Sequence, residues 1–127
     1  MLYTYVTIKD LQDNKEINYE SERRITMKML IQVKLPHKEF NDYVKDGSIS
    51  TKIKQIFDEI KPEAVYFTEL KGHRGLIMIA DVAKPSSVPK IAEPWFLLFN
   101  ADVKFHIVMS PEDLEKAGLD KLGKQWA

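Results

Sequence analysis

Apolar and polar residues alternate with a period of two in several short stretches of the chain, and this pattern predicts β-strands. Residues 61–82 predict a hairpin, because two apolar and aromatic runs flank a glycine-containing connection at 71–75. Its second run, residues 76–80, is apolar on both faces, which is typical of a central strand. Residues 29–35 and 103–109 alternate in the same way, and they predict the first and last strands of the same sheet.

Between these strands the apolar residues recur with the period of a helix. The stretch from His37 to Ile60 contains two such runs, and Asp46-Gly47-Ser48 separates them, so we expect one broken helix or two short ones. Ser48 or Ser50 is a candidate cap for the second run. Residues 84–87 offer a loop and a helix cap, and Pro89 suits the first turn of a helix. Ile91, Ala92 and Trp95 are helically spaced, but we expect Pro94 to limit the length of this helix.

The end of the sequence carries a strong helix start. Ser110 can cap the helix, Pro111 suits its first position, and two acidic residues follow in the first turn. Farther on, Leu122 and Trp126 are expected to hold the tail against the domain.

From residue 26 the predicted order is strand, helix, strand, strand, helix, strand and a C-terminal helix. This order indicates an α+β, ferredoxin-like βαββαβ domain with a four-stranded antiparallel sheet and helices on one face. We therefore divide the chain into a domain at 26–127 and an N-terminal arm at 1–25. Residues 2–8 of the arm alternate like a strand. The arm either extends a sheet, such as that of a partner subunit, or is a passive extension.

Helices on one side leave the other face of the sheet uncovered. By alternation this face carries a mixture of apolar and polar side chains: Leu30, Gln32, Lys34, Lys104, His106 and Val108, with some of Tyr66, Thr68, Ile77 and Ile79. One interpretation is a solvated face with scattered apolar residues. The one we favour is a homodimer in which two such sheets pack together and close a barrel.

Composition narrows the possible partners. The 127 residues are 44% hydrophobic and 30% charged, and the 19 basic residues equal the 19 acidic ones. No net charge therefore favours nucleic acid or an anionic membrane, and we expect neither as a partner. The absence of cysteine excludes disulfides and thiolate metal sites, and we expect a cytoplasmic protein. The sequence shows neither a zinc motif nor a phosphate loop, so we expect no metal or cofactor.

Four stretches also resemble a known family. They are the first strand, the hairpin at 63–82, residues 92–103 and residues 109–114, which are similar to those of the dimeric α/β-barrel superfamily and its muconolactone-isomerase-like members. The resemblance covers about residues 29–122. It implies a homodimer with a small-molecule pocket for an apolar or aromatic compound and, if the protein is an enzyme, cofactor-free isomerase-like chemistry. A non-catalytic ligand-binding or structural module is the alternative, and the sequence does not decide between them.

His106 is the candidate catalytic residue, because a mid-strand histidine on the uncovered face can act as an acid or base near neutral pH. A simple hydrogen bond across an interface is the alternative for it. Gln32, Tyr66, Trp95 and Phe96 are the candidate substrate-binding residues. The alternative for the aromatic residues is a place in the hydrophobic core.

Overall fold

The computed structural model describes residues 26–127, so the predicted N-terminal arm lies outside the described residues. The elements in chain order are β1 (Met27–Leu35), α1 (His37–Asp46), α2 (Ile49–Ile60), β2 (Ala64–Leu70), β3 (His73–Val82), α3 (Ser87–Phe99), β4 (Asp102–Ile107), α4 (Pro111–Lys116) and α5 (Leu119–Gln125).

The four strands form one antiparallel sheet in the order β2-β3-β1-β4. This confirms the predicted α+β class and the four-stranded antiparallel sheet, and it is compatible with the ferredoxin-like arrangement. The strand β3 lies inside the sheet, as its apolar character on both faces predicted. Its register with β1 pairs Ile31 with Met78 and Gln32 with Ile77, so alternate pairs lie on opposite faces of the sheet.

The hydrophobic core lies between one face of the sheet and the helices. Side chains of alternate residues in β1 and β3 are buried there. On the helical side, Trp95 and Phe99 of α3 are fully buried, with their ring centroids 5.8 Å apart. Phe57 of α2 lies 6.0 Å from the Trp95 ring, so aromatic contacts join the two helices above the sheet.

The helix α3 differs from the prediction, because it continues through Pro94 to Phe99. A proline inside a helix lacks the N–H that would bond to the preceding turn, and this costs about 3 kcal/mol. Trp95 and Phe99 lie beyond it on the buried side, and the burial of two large aromatic rings offsets this cost. The helix then ends at Asn100, which adopts the left-handed conformation with φ 53°.

The predicted break between two short helices is confirmed at Gly47, whose φ is 81°. Ser48 precedes α2, but its side chain makes no capping hydrogen bond to that helix. Instead its backbone N–H and its hydroxyl both donate to the Asp46 carboxylate, at 2.8 and 2.5 Å. These bonds hold the pKa of Asp46 below its usual value.

The connection between β2 and β3 is shorter than the predicted one, which spanned residues 71–75. Only Lys71 and Gly72 lie between β2 and β3, and both have a positive φ, of 50° and 79°. A two-residue connection with positive φ at both positions matches the right-handed twist of the paired strands. His73, Arg74 and Gly75 therefore belong to β3.

The C-terminal part of the domain starts as predicted and then differs from the prediction. Ser110 and Asp113 form a reciprocal capping box at the start of α4. However, β4 already ends at Ile107, and both Ile107 and Met109 are exposed. The expectation that Leu122 and Trp126 hold the tail to the domain is wrong, since both side chains are exposed and α5 has no buried residue.

Candidate functional site

The face of the sheet opposite the helices, called the open face below, is arranged in rows by the strand register. Residues directly opposite one another on antiparallel strands lie side by side on the same face. From β2 to β4 the three central rows are Ala64, Ile79, Leu30, His106; then Tyr66, Ile77, Gln32, Lys104; then Thr68, Gly75, Lys34, Asp102.

The centre of the open face is apolar. Leu30, Ile77 and Ile79 lie next to one another on the two inner strands, and each is only partly buried. None of the helices among residues 26–127 packs on this side to cover them. The surface therefore combines an incompletely buried apolar centre with polar side chains along the β4 edge.

Charged residues on the open face differ in their pairing. The Lys28 ammonium lies 2.6 Å from the Glu63 carboxylate and 3.8 Å from that of Asp81, and the hydrogen bond that it donates to Glu63 is the main reason that the pKa of Lys28 is raised. The Lys34 ammonium lies 3.4 Å from the Asp102 carboxylate. Within residues 26–127, Lys104 has no carboxylate at ion-pair distance, so its positive charge is uncompensated there.

A pocket of about 220 Å³ lies at the end of the open face nearest the β2–β3 turn. Its lining consists of Gln32, Lys34, Leu70, Lys71, Asp102 and Lys104. Three lysines and a single aspartate give it an excess of positive charge, and the Leu70 side chain gives it an apolar wall. We call this concavity the edge pocket.

Three of the predicted site residues lie on the open face. Gln32 lines the edge pocket opposite Lys104, whereas His106 and Tyr66 do not line it. His106 is exposed on the edge strand β4, and Tyr66 is 70% exposed on the other edge strand, β2. Three strand spacings separate these edges, which is about 14 Å, so one small molecule on a single subunit does not reach both residues.

Trp95 and Phe96 lie on α3, on the opposite side of the sheet. Trp95 has no exposed surface and belongs to the core, while Phe96 is 42% exposed. The structure thus groups Gln32 with Lys104 and places the two α3 residues away from them. The functional roles given to these five residues by the sequence stay predictions.

Sequence reasoning did not select Lys34, Leu70, Asp102 and Lys104 as pocket residues. Alternation had put Lys34 on the uncovered face, but only the register shows that Asp102 lies opposite it. Leu70 and Lys71 come from the hairpin, far from both in sequence, and reach the pocket because β2 ends there. The structure places Gly75 inside β3, where a glycine often marks a close approach by another group.

Two further histidines meet outside the edge pocket. The rings of His37 and His73 stack with their centroids 4.4 Å apart, and Nδ1 of His73 lies 3.2 Å from the carbonyl oxygen of Lys71. In the part of the chain that the structure describes, no group of three or more His, Asp or Glu side chains could hold a metal ion.

Comparison with known proteins adds no assignment to this geometry: no family model matches the chain, and no curated protein does. Among the described helices, none combines the length and the apolar character needed to cross a membrane. The chain is a small α+β protein with a four-stranded antiparallel sheet, and its function has to be argued from the open face and the edge pocket.

Proposed function

We propose that the protein is a ligand-binding homodimer of ferredoxin-like subunits, in which two open faces pack together as in the dimeric α/β barrels. The sheet order supports this fold, because β1 and β3 are inside the sheet and the core-forming helices among residues 26–127 pack on one of its faces. The partly buried Leu30, Ile77 and Ile79 support the dimer, because an apolar patch at the centre of a sheet gains stability when a second sheet excludes water from it.

The ligand that suits the edge pocket is a small organic acid with an apolar body. Lys34 already pairs with Asp102, so Lys104 and Lys71 provide the excess positive charge for a carboxylate. The Gln32 side-chain amide can donate to the same group, and Leu70 can contact the apolar part. The observation that carries this proposal is the pocket's charge: three lysines against one aspartate.

The geometry supports binding more directly than catalysis. His106 follows Lys104 by two residues on β4 and shares its face, but it does not line the edge pocket. Isomerase-like chemistry with His106 as acid or base therefore stays a prediction, as does the cytoplasmic location. If a substrate is found, His106→Ala should abolish its turnover while leaving its binding in place, and unchanged turnover would remove that role.

Thermal unfolding with benzoate and benzamide tests the ligand class, because the two molecules have similar shapes and differ in charge. Benzoate at tenfold its dissociation constant should stabilise the protein by about 1.4 kcal/mol, a rise in Tm of several degrees. Benzamide should have a smaller effect. Lys104→Gln should remove most of the difference, and Lys90→Gln, at an exposed lysine on α3, is the matched control. Equal shifts from both compounds would contradict an acid-binding pocket.

Sedimentation equilibrium tests the assembly. The chain has a mass of 14.8 kDa, so the proposed dimer has twice that mass. A single species at the monomer mass at 50 μM protein would contradict the dimer, and the edge pocket would then have to bind its ligand on one subunit alone.

A further inference from the structure

The outer edge of β2 is unpaired among residues 26–127. The sheet order puts β2 at one margin of the sheet and β4 at the other. Leu70 and His73 close the two-residue hairpin, so the even-numbered residues of β2 direct their backbone groups towards β3. The backbone groups of Val65, Phe67 and Glu69 therefore point away from the sheet, where another strand can bond to them.

The β2 edge lacks the features by which proteins usually keep other strands from pairing with an edge. Its pairing with β3 runs along all seven residues without a bulge. The strand contains neither proline nor lysine, and Glu69 is its one charged residue. The other edge strand, β4, carries Asp102 and Lys104. Of the two edges, that of β2 is the better suited to receive a strand.

Large apolar side chains are exposed on both sides of this edge. Tyr66, on the open face, is 70% exposed, and Phe67, on the helical side of the sheet, is 61% exposed. Phe67 borders a shallow groove between α2 and β2, which Ile53 and Phe57 also line, and the rings of Phe57 and Phe67 lie 6.4 Å apart. We call it the α2–β2 groove. A strand beside β2 would cover this groove and both exposed rings.

The N-terminal arm, which lies outside the described residues, contains a sequence suited to this edge. Residues 2–8 are as long as β2 and include no charged residue, whereas residues 9–25 are rich in charge. Their alternation gives one aliphatic side and one tyrosine-containing side: Leu2, Thr4, Val6 and Ile8 against Tyr3, Tyr5 and Thr7. In a strand beside β2, the aliphatic side suits the α2–β2 groove and the other side lies next to Tyr66.

The chain enters the sheet at the end where β2 begins, so the arm starts close to this edge. The ammonium of Lys28, near the start of β1, lies 2.6 Å from the carboxylate of Glu63, which immediately precedes β2. A position beyond β2 is three strand spacings from β1, which is about 14 Å. Residues 9–25 can span up to about 56 Å, so they cover this distance. The shortest connection leaves residue 8 at this end, and residues 2–8 then run antiparallel to β2.

We infer that the outer edge of β2 is the docking site of residues 2–8 of the same chain, which add a fifth, antiparallel strand to the sheet. Backbone hydrogen bonds to Val65, Phe67 and Glu69 hold this strand, and the α2–β2 groove receives its aliphatic side chains. Covalent connection favours this occupant over a separate molecule, because it keeps the effective concentration of the strand at roughly millimolar. The inference does not depend on the proposed dimer, in which the open faces, and not this edge, are in contact.

Amide hydrogen exchange, measured by NMR on the full chain, tests the docking. Thr4 and Val6 share the helical side with Phe67, so their N–H groups are among those that bond to β2. We expect the amides of Val65 and Phe67 to exchange at least tenfold faster in Thr4→Pro with Val6→Pro than in the unaltered chain, because proline cannot donate to a strand ladder.

Gln12→Pro with Asn14→Pro, in the charged part of the arm, is the matched control and should exchange like the unaltered chain. All four substitutions lie outside residues 26–127. The amide of Met78, inside the sheet, should therefore exchange at the same rate in all three proteins and report that the domain is intact.

Each outcome decides the inference. Fast exchange at Val65 and Phe67 in the unaltered chain overturns it, because the edge is then open to water. Slow exchange in Thr4→Pro with Val6→Pro also overturns it, because another molecule, such as the β2 edge of a second copy, then covers the edge. In a mixture of differently isotope-labelled chains, nuclear Overhauser contacts between Val6 and Phe67 should occur only within one label. Contacts between labels would show that the arm docks on a partner subunit, and they would overturn docking on the same chain.

Discussion

The side chain of Leu70 lies directly over Gly75, across the β2–β3 hairpin. A Cβ atom built on Gly75 would lie 2.6 Å from Cδ1 of Leu70 and 3.1 Å from the carbonyl oxygen of Val33. The absence of a side chain at position 75 thus leaves room for Leu70 on the open face. Since Leu70 lines the edge pocket, this contact also sets the position of the pocket's apolar wall.

Gly75→Ala should therefore destabilise the protein. The Leu70 side chain can move partly aside, but the Val33 carbonyl belongs to the backbone, so we expect a loss of about 1 kcal/mol in the free energy of unfolding. Urea unfolding measures it. In the double variant Leu70→Ala with Gly75→Ala, the second substitution should cost less than it does alone.

Gly123→Ala is the matched control for this experiment. Nothing lies within 4 Å of a Cβ atom at that position, and Gly123 sits inside α5. Alanine forms helices better than glycine, so the control should be neutral or slightly stabilising. A stabilising effect of Gly75→Ala would contradict the close packing of Leu70.

Tyr43 links α1 to the end of α3. Its hydroxyl donates to the carbonyl oxygen of Leu98 at 2.7 Å, in the last turn of α3, where carbonyl groups lack helical partners. Tyr43→Phe should lower the free energy of unfolding by about 1 kcal/mol, because it removes this bond and little else. Tyr66→Phe, at an exposed tyrosine, should change it by less than about 0.5 kcal/mol. Equal effects would mean that the Tyr43 bond adds no stability.

Asp46 should make stability depend on pH in the acid range. Hydrogen bonds from Ser48 hold the pKa of Asp46 below its usual value of 3.8 in the folded protein. The carboxylate therefore stabilises the fold above the unfolded-state pKa, and this contribution is lost as the pH falls through the folded-state pKa.

Asp46→Ala should accordingly be destabilising at pH 7, and its difference from the unaltered protein should shrink below about pH 4. Urea unfolding at pH 7 and at successively lower pH values measures that difference. Glu59→Ala, at an exposed carboxylate in α2, is the control. A difference that stays constant down to pH 2 would show that the ionised carboxylate is not the cause.

Pro94 should be a weak point of α3. Pro94→Ala restores a backbone N–H inside the helix, and it also gives the unfolded chain more freedom, which cancels part of the gain. We expect urea unfolding to show a net stabilisation of about 1 to 2 kcal/mol. Pro89 lies in the first turn of α3, where a backbone N–H has no helical partner. Pro89→Ala should therefore be neutral or slightly destabilising. A loss of stability in Pro94→Ala would indicate that the proline shapes α3 for the packing of Trp95.

The sequence by itself determined the class of the fold and the two faces of the sheet. The period-two run in β1 separated buried residues such as Ile31 from open-face residues such as Gln32, as the structure confirms. The strand β3 is apolar on both faces, and only the structure assigns Met78 to the core and Ile77 to the open face. The break at Gly47 and the helix start at Ser110 were also predictable. These are local properties, because alternation, left-handed glycine and helix caps depend on residues close together in the chain.

Only the tertiary structure decided which residues share a site. The edge pocket combines β1, the β2–β3 turn and β4, and its composition depends on the register that places Lys34 opposite Asp102 and Gln32 opposite Lys104. Packing in the core likewise keeps α3 helical through Pro94, because Trp95 and Phe99, which follow the proline, are fully buried. A sequence pattern gives the face of each strand, but the neighbours on that face come from distant parts of the chain, whose positions are set by packing.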